Sequence, residues 1–328
     1  MTTVTFRNSR VLITGGLGFV GSNLAIRLAN EGAQVSIVDN LGSEGGGNRY
    51  NIAGLEERLA IRLVDIRDES AMGEVVHGQD YLFNLAGLTG HIGSMEHPLD
   101  DLDVNCRGHL VLLEACRQYN ADVKIVFAGT RQVYGRPSYL PVDEGHPIRP
   151  VDINGIHNLA AEEYHRLYYQ VHRLRTCVLR LTNTYGPRMR IKDSQQGFIG
   201  LWVRLVLEQK PFEIWGGDQV RDPNYVDDVV EAFLQAAASP LSEGRIYNLG
   251  SEQGTSLKEL GDQLIEANGG GNYEIRSFPA DRQLIDIGDY VADCSRIREE
   301  IGWQQKTSFA EGVAQTLAYF RDRLPHYL

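Results

Sequence analysis

The chain has no CxxC pair and no apolar run approaching the roughly 20 residues a membrane helix needs. Its opening stretch, Met1–Arg10, lacks the apolar core of a secretory leader. Cysteine is scarce: Cys106, Cys116, Cys177 and Cys294 are widely spaced among 328 residues. That spacing offers neither a zinc site nor a disulfide framework, so no metal is expected and buried, reduced thiols in a cytoplasmic protein are. Positive charge is also short, with 32 Lys and Arg against 43 Asp and Glu and a net charge of −11. Such a surface repels a phosphate backbone, so neither a nucleic-acid partner nor a membrane is expected. A nucleotide held in a local basic pocket stays open. There is no repeat, low-complexity tract or linker, and a chain 42% hydrophobic of this length can bury its own core.

What is present is a rhythm. Short apolar strands are expected at Arg10–Thr14, Gln34–Val38, Ala60–Val64, Tyr81–Leu85, Lys124–Ala128 and Thr176–Leu181. Helical patterns at Ser22–Asn30, Leu102–Tyr119 and Gly155–His172 separate them. Strand–helix alternation predicts an α/β fold with a parallel sheet covered on both faces. After Gly186 the rhythm loosens into helices near Phe198–Gln209, Asp227–Ala238, Leu257–Ala267 and Ser308–Arg321. Residues 1–186 are therefore read as one domain and 187–328 as a smaller lobe packed against it, with some elements crossing between the two.

The clearest local signal is the stretch from Arg10 to Leu24, in which a strand runs into Gly15, Gly18 and Gly21 and a helix follows. Gly15 permits a tight turn, Gly18 lets a pyrophosphate approach the backbone, and Gly21 lets the helix pack on the strand. The helix, opening with Phe19 and Val20, then turns free N–H groups toward the phosphates. Between a strand and a helix this spacing is a dinucleotide signature. Asp39, followed by Asn40, closes the second strand 18 residues after Gly21. A carboxylate there accepts from an adenosine ribose and repels a 2′-phosphate, which favours NAD over NADP. Asp65 and Ile66 end the third strand where an adenine edge would lie. Leu85, Ala86 and Gly87 end the fourth, where a cofactor would rest on the backbone.

With these residues in hand, the chain resembles the extended short-chain dehydrogenase/reductase family, nucleotide-sugar epimerase and dehydratase type. The marks are the turn Thr14–Gly21, Asn84-Leu-Ala-Gly87, Val133-Tyr-Gly135, the Leu179–Pro187 stretch, Arg221–Asp228 and Ile301-Gly-Trp303. The resemblance implies a doubly wound parallel (Rossmann) sheet that binds NAD, a smaller C-terminal α/β lobe that binds a nucleotide-sugar, and a homodimer formed through the two long helices. It also implies a catalytic Ser/Thr, a Tyr and a Lys. Thr130 matches the first and would bond the reacting sugar hydroxyl. The other two positions read Asn154 and Asn158, in a register held by Gly155 and Glu162. Asn cannot titrate, and losing a positioned base costs about 10²–10⁴-fold in rate. Asn158 can still bond the nicotinamide ribose but brings no charge. His157, one helical turn from Asn154, and His91, in the loop after the fourth strand, are the replacement candidates, since imidazole titrates near neutrality. Each is also readable as an ordinary polar residue. Tyr164 and Tyr168 read as packing residues.

Where the resemblance puts acids for sugar dehydration or decarboxylation, directly after Thr130, the chain has Arg131 and Gln132. In the second half Asn183, Arg221 and Arg282 match positions that bind the substrate diphosphate, with Tyr225 and Asp227 bracing the Arg221 loop. Arg221 is alternatively a local ion-pair partner of Asp222. The leading expectation is an epimerase acting through a transient keto-sugar. A dehydrogenase or dehydratase, and a non-catalytic binder, are the alternatives.

Overall fold

The structure is a computed structural model describing residues 5–42, 45–279 and 283–328. Six strands form in chain order: β1 (Arg10–Thr14), β2 (Gln34–Asp39), β3 (Leu59–Leu63), β4 (Tyr81–Asn84), β5 (Lys124–Thr130) and β6 (Arg175–Leu181). They join a seventh, Arg245–Leu249, in one sheet ordered Arg245–Leu249, β6, β5, β4, β1, β2, β3. Every neighbouring pair is parallel. The chain winds outward from β1 in one direction and from β4 in the other, which leaves a crevice at the carboxyl ends of β1 and β4.

Alternation along the strands fills two apolar layers. Val11 and Ile13 of β1 face the layer of α1 (Phe19–Asn30) and α8 (Val226–Ala238), while Leu12 faces that of α2 (Glu69–Val75) and α5 (His109–Tyr119). Leu112 and Leu113 of α5 are buried in the second layer, while Leu110 is exposed. The four cysteines are buried and unpaired. Among the described residues no helix is long and apolar enough to cross a membrane, and no group of side chains could hold a metal.

Three differences from the sequence reading have physical causes. The strand Arg245–Leu249 went unforeseen: five residues beginning with Arg carry little β pattern on their own, and pairing with β6 decides them. The expected helix 102–119 is instead α4 (Pro98–Leu102), a wide π-turn over Asp103–Gly108, and α5. The wide turn lets the Asn105 amide bond both the N–H and the C=O of Leu88, at 2.9 and 2.9 Å. The expected helix 155–172, α6 (Ile153–His172), starts two residues early, because Asp152 caps it by accepting the Gly155 N–H at 2.6 Å.

Two devices fix α6 against the sheet. A side chain at Gly155 would sit 3.0 Å from the Gln132 carbonyl oxygen, so glycine sets how closely the helix approaches β5's end. Further along, the buried Glu162 carboxylate takes both arms of the Arg180 guanidinium, at 2.8 and 2.5 Å. Beneath the crevice, Thr14 Oγ1 donates to Asn84 Oδ1 at 2.9 Å, and Asn84 Nδ2 donates to His109 and His165 at 2.9 and 3.2 Å. Burial pushes these imidazoles down to about 3 and about 4, so this tie between β1, β4, α5 and α6 carries no charge.

The rest of the chain builds the lobe. The helices α7 (Phe198–Leu207), α9 (Leu257–Asn268) and Phe309–Arg321 pack around a parallel pair, Phe212–Trp215 with Tyr273–Arg276. The last two helices begin with capping boxes at Ser256/Glu259 and Ser308/Glu311.

Candidate active site

At the end of β1, Gly15 adopts φ +68°, and a side chain there would lie 2.8 Å from the Leu85 carbonyl oxygen. A side chain at Gly21 would lie 2.3 Å from the Gly15 carbonyl oxygen, which is why α1 can rest directly on the turn. Gly18 differs: an added methyl meets only the Gly15 oxygen, at 3.1 Å, so its outer side is open. No side chain caps α1, and the N–H groups of Phe19, Val20 and Gly21 meet no acceptor among the described residues. An open cradle with three free donors at a positive helix end fits a pyrophosphate.

Asp39 closes the far side of this cradle. Its carboxylate accepts the Leu17 and Leu41 N–H groups at 3.0 and 2.9 Å. Burial pushes this carboxyl up while the two N–H bonds pull it down. Each oxygen keeps a lone pair for a ribose hydroxyl. Asn40 donates to Asp65 at 2.8 Å, and Arg67 grips Asp65 in a fork that pulls the carboxyl down to about 2. Ile66 is buried under Gly108. The N–H groups of Leu85 and Ala86 converge on Thr14 Oγ1, and Gly87 lies against Asn105. Above, the lobe reaches back. Arg190 donates to the Gly45 carbonyl at 2.8 Å, and a side chain at Gly46 would strike Gln196. A narrow cavity of about 20 Å³ runs between Phe19, Asn183, Arg190 and Gln196, so the turn and the lobe face one another.

The amino end of α6 holds the chemistry-bearing groups in two connected clusters. In the first, Thr130 Oγ1 accepts the Gln132 N–H at 3.2 Å, leaving its own hydrogen free to donate. The Gln132 amide touches His91, whose Nδ1 lies 2.8 Å from Asp152. In the second, Asn154 Nδ2 donates to the Leu88 carbonyl at 2.7 Å and to Asp101 at 3.1 Å. The other oxygen of Asp101 lies 2.7 Å from His157 Nδ1. Asp101 is 1% exposed, so its carboxylate depends on these two partners. Asn158 Nδ2 turns back to the Asn154 carbonyl and amide oxygens, at 2.9 and 3.2 Å, and its own oxygen is free. The clusters meet where Asn154 N–H donates to Ser94 Oγ and Ser94 donates to the His91 carbonyl.

On the lobe side, Asn183 accepts from the Arg131 Nη1 at 2.8 Å and keeps its amide N–H groups free. Arg221 is 6% exposed and is not the partner of Asp222: it donates to the Val220 and Gly288 carbonyls at 2.9 and 2.6 Å and reaches Asp286 at 3.3 Å. The expected brace from Tyr225 and Asp227 is also corrected. The Tyr225 hydroxyl turns away to Gln315, and the loop is held by Asp222, which accepts the Ala292 N–H at 2.9 Å. Arg282 lies outside the described residues. A larger cavity, about 410 Å³, opens at the opposite ends of the strands, lined by Arg10, Lys124 and Arg175 and by none of the candidate site residues.

Sequence reasoning missed Asp101 and Asp152, the carboxylates behind the two histidines. Pro150-Val-Asp152 before a helical pattern is a capping signal that could have been found. Asp101 had no such signal, because its role arises only when α4 packs on α6.

The fold and the turn together define a dinucleotide-binding α/β protein with an appended substrate lobe. Residues 11–250 match the model of the NAD dependent epimerase/dehydratase family. The chain is 33% identical over 316 residues to a putative UDP-glucose 4-epimerase of Methanocaldococcus jannaschii, covering 95% of this chain and 98% of that one. It superposes on the UDP-glucose 4-epimerase of Thermotoga maritima, solved with UDP-glucose, with a TM-score of 0.87 and 31% identity over 96% and 99% of the two chains. The Thermus thermophilus UDP-glucose 4-epimerase in complex with NAD gives 0.84 and 31% over 96% and 99%. The chain belongs to the NAD-dependent epimerase/dehydratase family, of extended short-chain dehydrogenase/reductase type, and its cofactor is NAD.

Proposed function

We propose that the chain is a nucleotide-sugar epimerase that works through a transient keto-sugar and uses a histidine where its family resemblance calls for tyrosine. The observation that carries this reading is the Asn154–Asp101–His157 cluster. With Nδ1 of His157 donating to buried Asp101, its Nε2 holds a lone pair and meets no partner among the described residues. The Nε2 of His91 is already 3.0 Å from the Gln132 amide, and its side chain is 42% exposed. His157 is therefore the leading base and His91 the second.

Gly18, Phe19–Gly21, Asp39 and Leu85–Gly87 would hold NAD, which would supply the acceptor and donor for a hydride of a sugar carbon. Thr130 donates to and orients the sugar hydroxyl. His157 takes the hydroxyl proton, and Asp101 steadies the imidazolium that results. Asn158 offers its free oxygen to the nicotinamide ribose. Asn183 and Arg221 hold the substrate diphosphate. An Arg131–Gln132 step in place of acids speaks against water elimination. Residues 1–186 thus serve mainly the cofactor and 187–328 the sugar nucleotide. The exposed Leu110, Ile156, Leu167 and Val171 on α5 and α6 suit a second copy of the chain, which sedimentation would detect as a dimer.

The test is reduction of bound NAD by a tightly bound nucleotide-sugar, with the sugar product read by NMR. His157→Gln should slow it about 10²-fold or more. Full activity in both His157→Gln and His91→Gln removes the histidine base. A parent that binds nucleotide-sugar but never reduces NAD is a binder instead. A dehydrated or oxidised product identifies the dehydratase or dehydrogenase.

A further inference from the structure

Arg131 is a buried cation that its surroundings do not pay for. It is 8% exposed, and burial, followed by the nearby Arg221 charge, pushes it down to about 10. A guanidinium has five N–H donors. One of them bonds Asn183, and the others meet no acceptor among the described residues. The nearest carboxylate, Asp222, stands 3.8 Å away, beyond hydrogen-bond reach, with its Oδ1 unbonded. The ring of Tyr290 lies 5.2 Å from the guanidinium carbon, so one face is covered by an aromatic ring. An unmatched guanidinium in a buried place is destabilising unless an anion arrives to meet it.

Its position says where that anion sits. Arg131 follows Thr130 directly and reaches Asn183, so it bridges the two ends of the site. The diphosphate end already has a guanidinium, Arg221, steadied by Asp286. A neutral hydroxyl would leave the Arg131 charge uncompensated, whereas a carboxylate matches the fork bidentately.

Resting on the nucleotide-sugar reading above, we propose that the sugar carries a carboxylate, a uronic-acid type, and that Arg131 is the specificity residue that binds it. The experiment uses the full chain. Calorimetry with the diphosphates of uridine, thymidine, cytidine and guanosine first finds the preferred base. Failure of all four to bind overturns both the nucleotide-sugar reading and this proposal. The glucose and glucuronate esters of the preferred diphosphate are then compared. The expected result is at least tenfold tighter binding of the glucuronate ester, falling to within about threefold of the glucose ester in Arg131→Met, with the diphosphate itself bound as before. Arg131→Lys, which keeps the charge but not the fork, should retain part of the preference. Equal affinity for the two esters in the parent overturns the proposal alone. So does an Arg131→Met loss shared by the bare diphosphate, which would place Arg131 on the phosphates instead.

Discussion

Among the buried guanidiniums of the described residues, Arg180 and Arg131 are treated in opposite ways. Arg180, 2% exposed, is paired within the fold: Nε and Nη2 engage Glu162 and Nη1 donates to the Tyr134 hydroxyl at 2.6 Å. Arg131 has one hydrogen bond and a carboxylate held at arm's length. The first pair ties α6 to β6 and needs nothing from outside. The second is incomplete until something binds. Burial of a charge alone does not distinguish structure from site; the completeness of its hydrogen bonds does.

The contrast is broken most forcefully at Arg180. Arg180→Met strands the Glu162 carboxylate in the core and should cost about 3–5 kcal/mol in denaturant unfolding. A cost under about 1 kcal/mol would mean that Glu162 has another route to water or to a proton.

Asp222 sharpens the other half of the comparison. Burial pushes its carboxyl up to about 7, against the smaller opposing pull of Arg131, the Ala292 N–H and Arg221. The folded chain therefore holds this proton more tightly than the unfolded chain, where Asp titrates near 3.9. The resulting stability is complete below about pH 4 and is lost as pH rises toward 7, with a slope of up to about 1.4 kcal/mol per pH unit. Asp222→Asn should flatten that part of the profile of the ligand-free protein. An unchanged profile would show that Asp222 stays ionised beside Arg131.

Arg221 stands between the extremes, partly paired. Arg221→Ala should weaken nucleotide-sugar binding by about 1.5–3 kcal/mol, the scale of a charged hydrogen bond, and leave NAD affinity alone. Undiminished affinity in calorimetry removes it from the site. The smallest effect is expected at Asp39, a carboxylate satisfied by backbone alone. Asp39→Asn should weaken NAD about tenfold and narrow its advantage over NADP, as titration of both cofactors would show. A parent that binds the two equally excludes Asp39 as the discriminator.

Much of the fold was legible because it rests on local rules. Glycine spacing, strand alternation and helical periodicity placed β1 to β6 within a residue or two, along with the turn around Gly15, Gly18 and Gly21. What escaped depends on contacts between distant segments. The strand Arg245–Leu249 is made by its neighbour β6, and the π-turn by Leu88. Asp101 acquires a role only when α4 meets α6. Arg131 was visible as a missing acid, but its empty donors appear only when Asn183, Asp222 and Tyr290 have gathered around it.

The hand that Arg190 lays on Gly45 has a kinetic meaning. It ties the lobe to the loop after β2, whose Gly47 stands beside the Asp39 carboxylate. Release of a molecule held at Asp39 would be slowed to the extent that this contact has to open first. On the proposed epimerase reading, a hydride borrowed and handed back needs no exchange of its carrier between rounds, and a slow exit would keep it from being carried off.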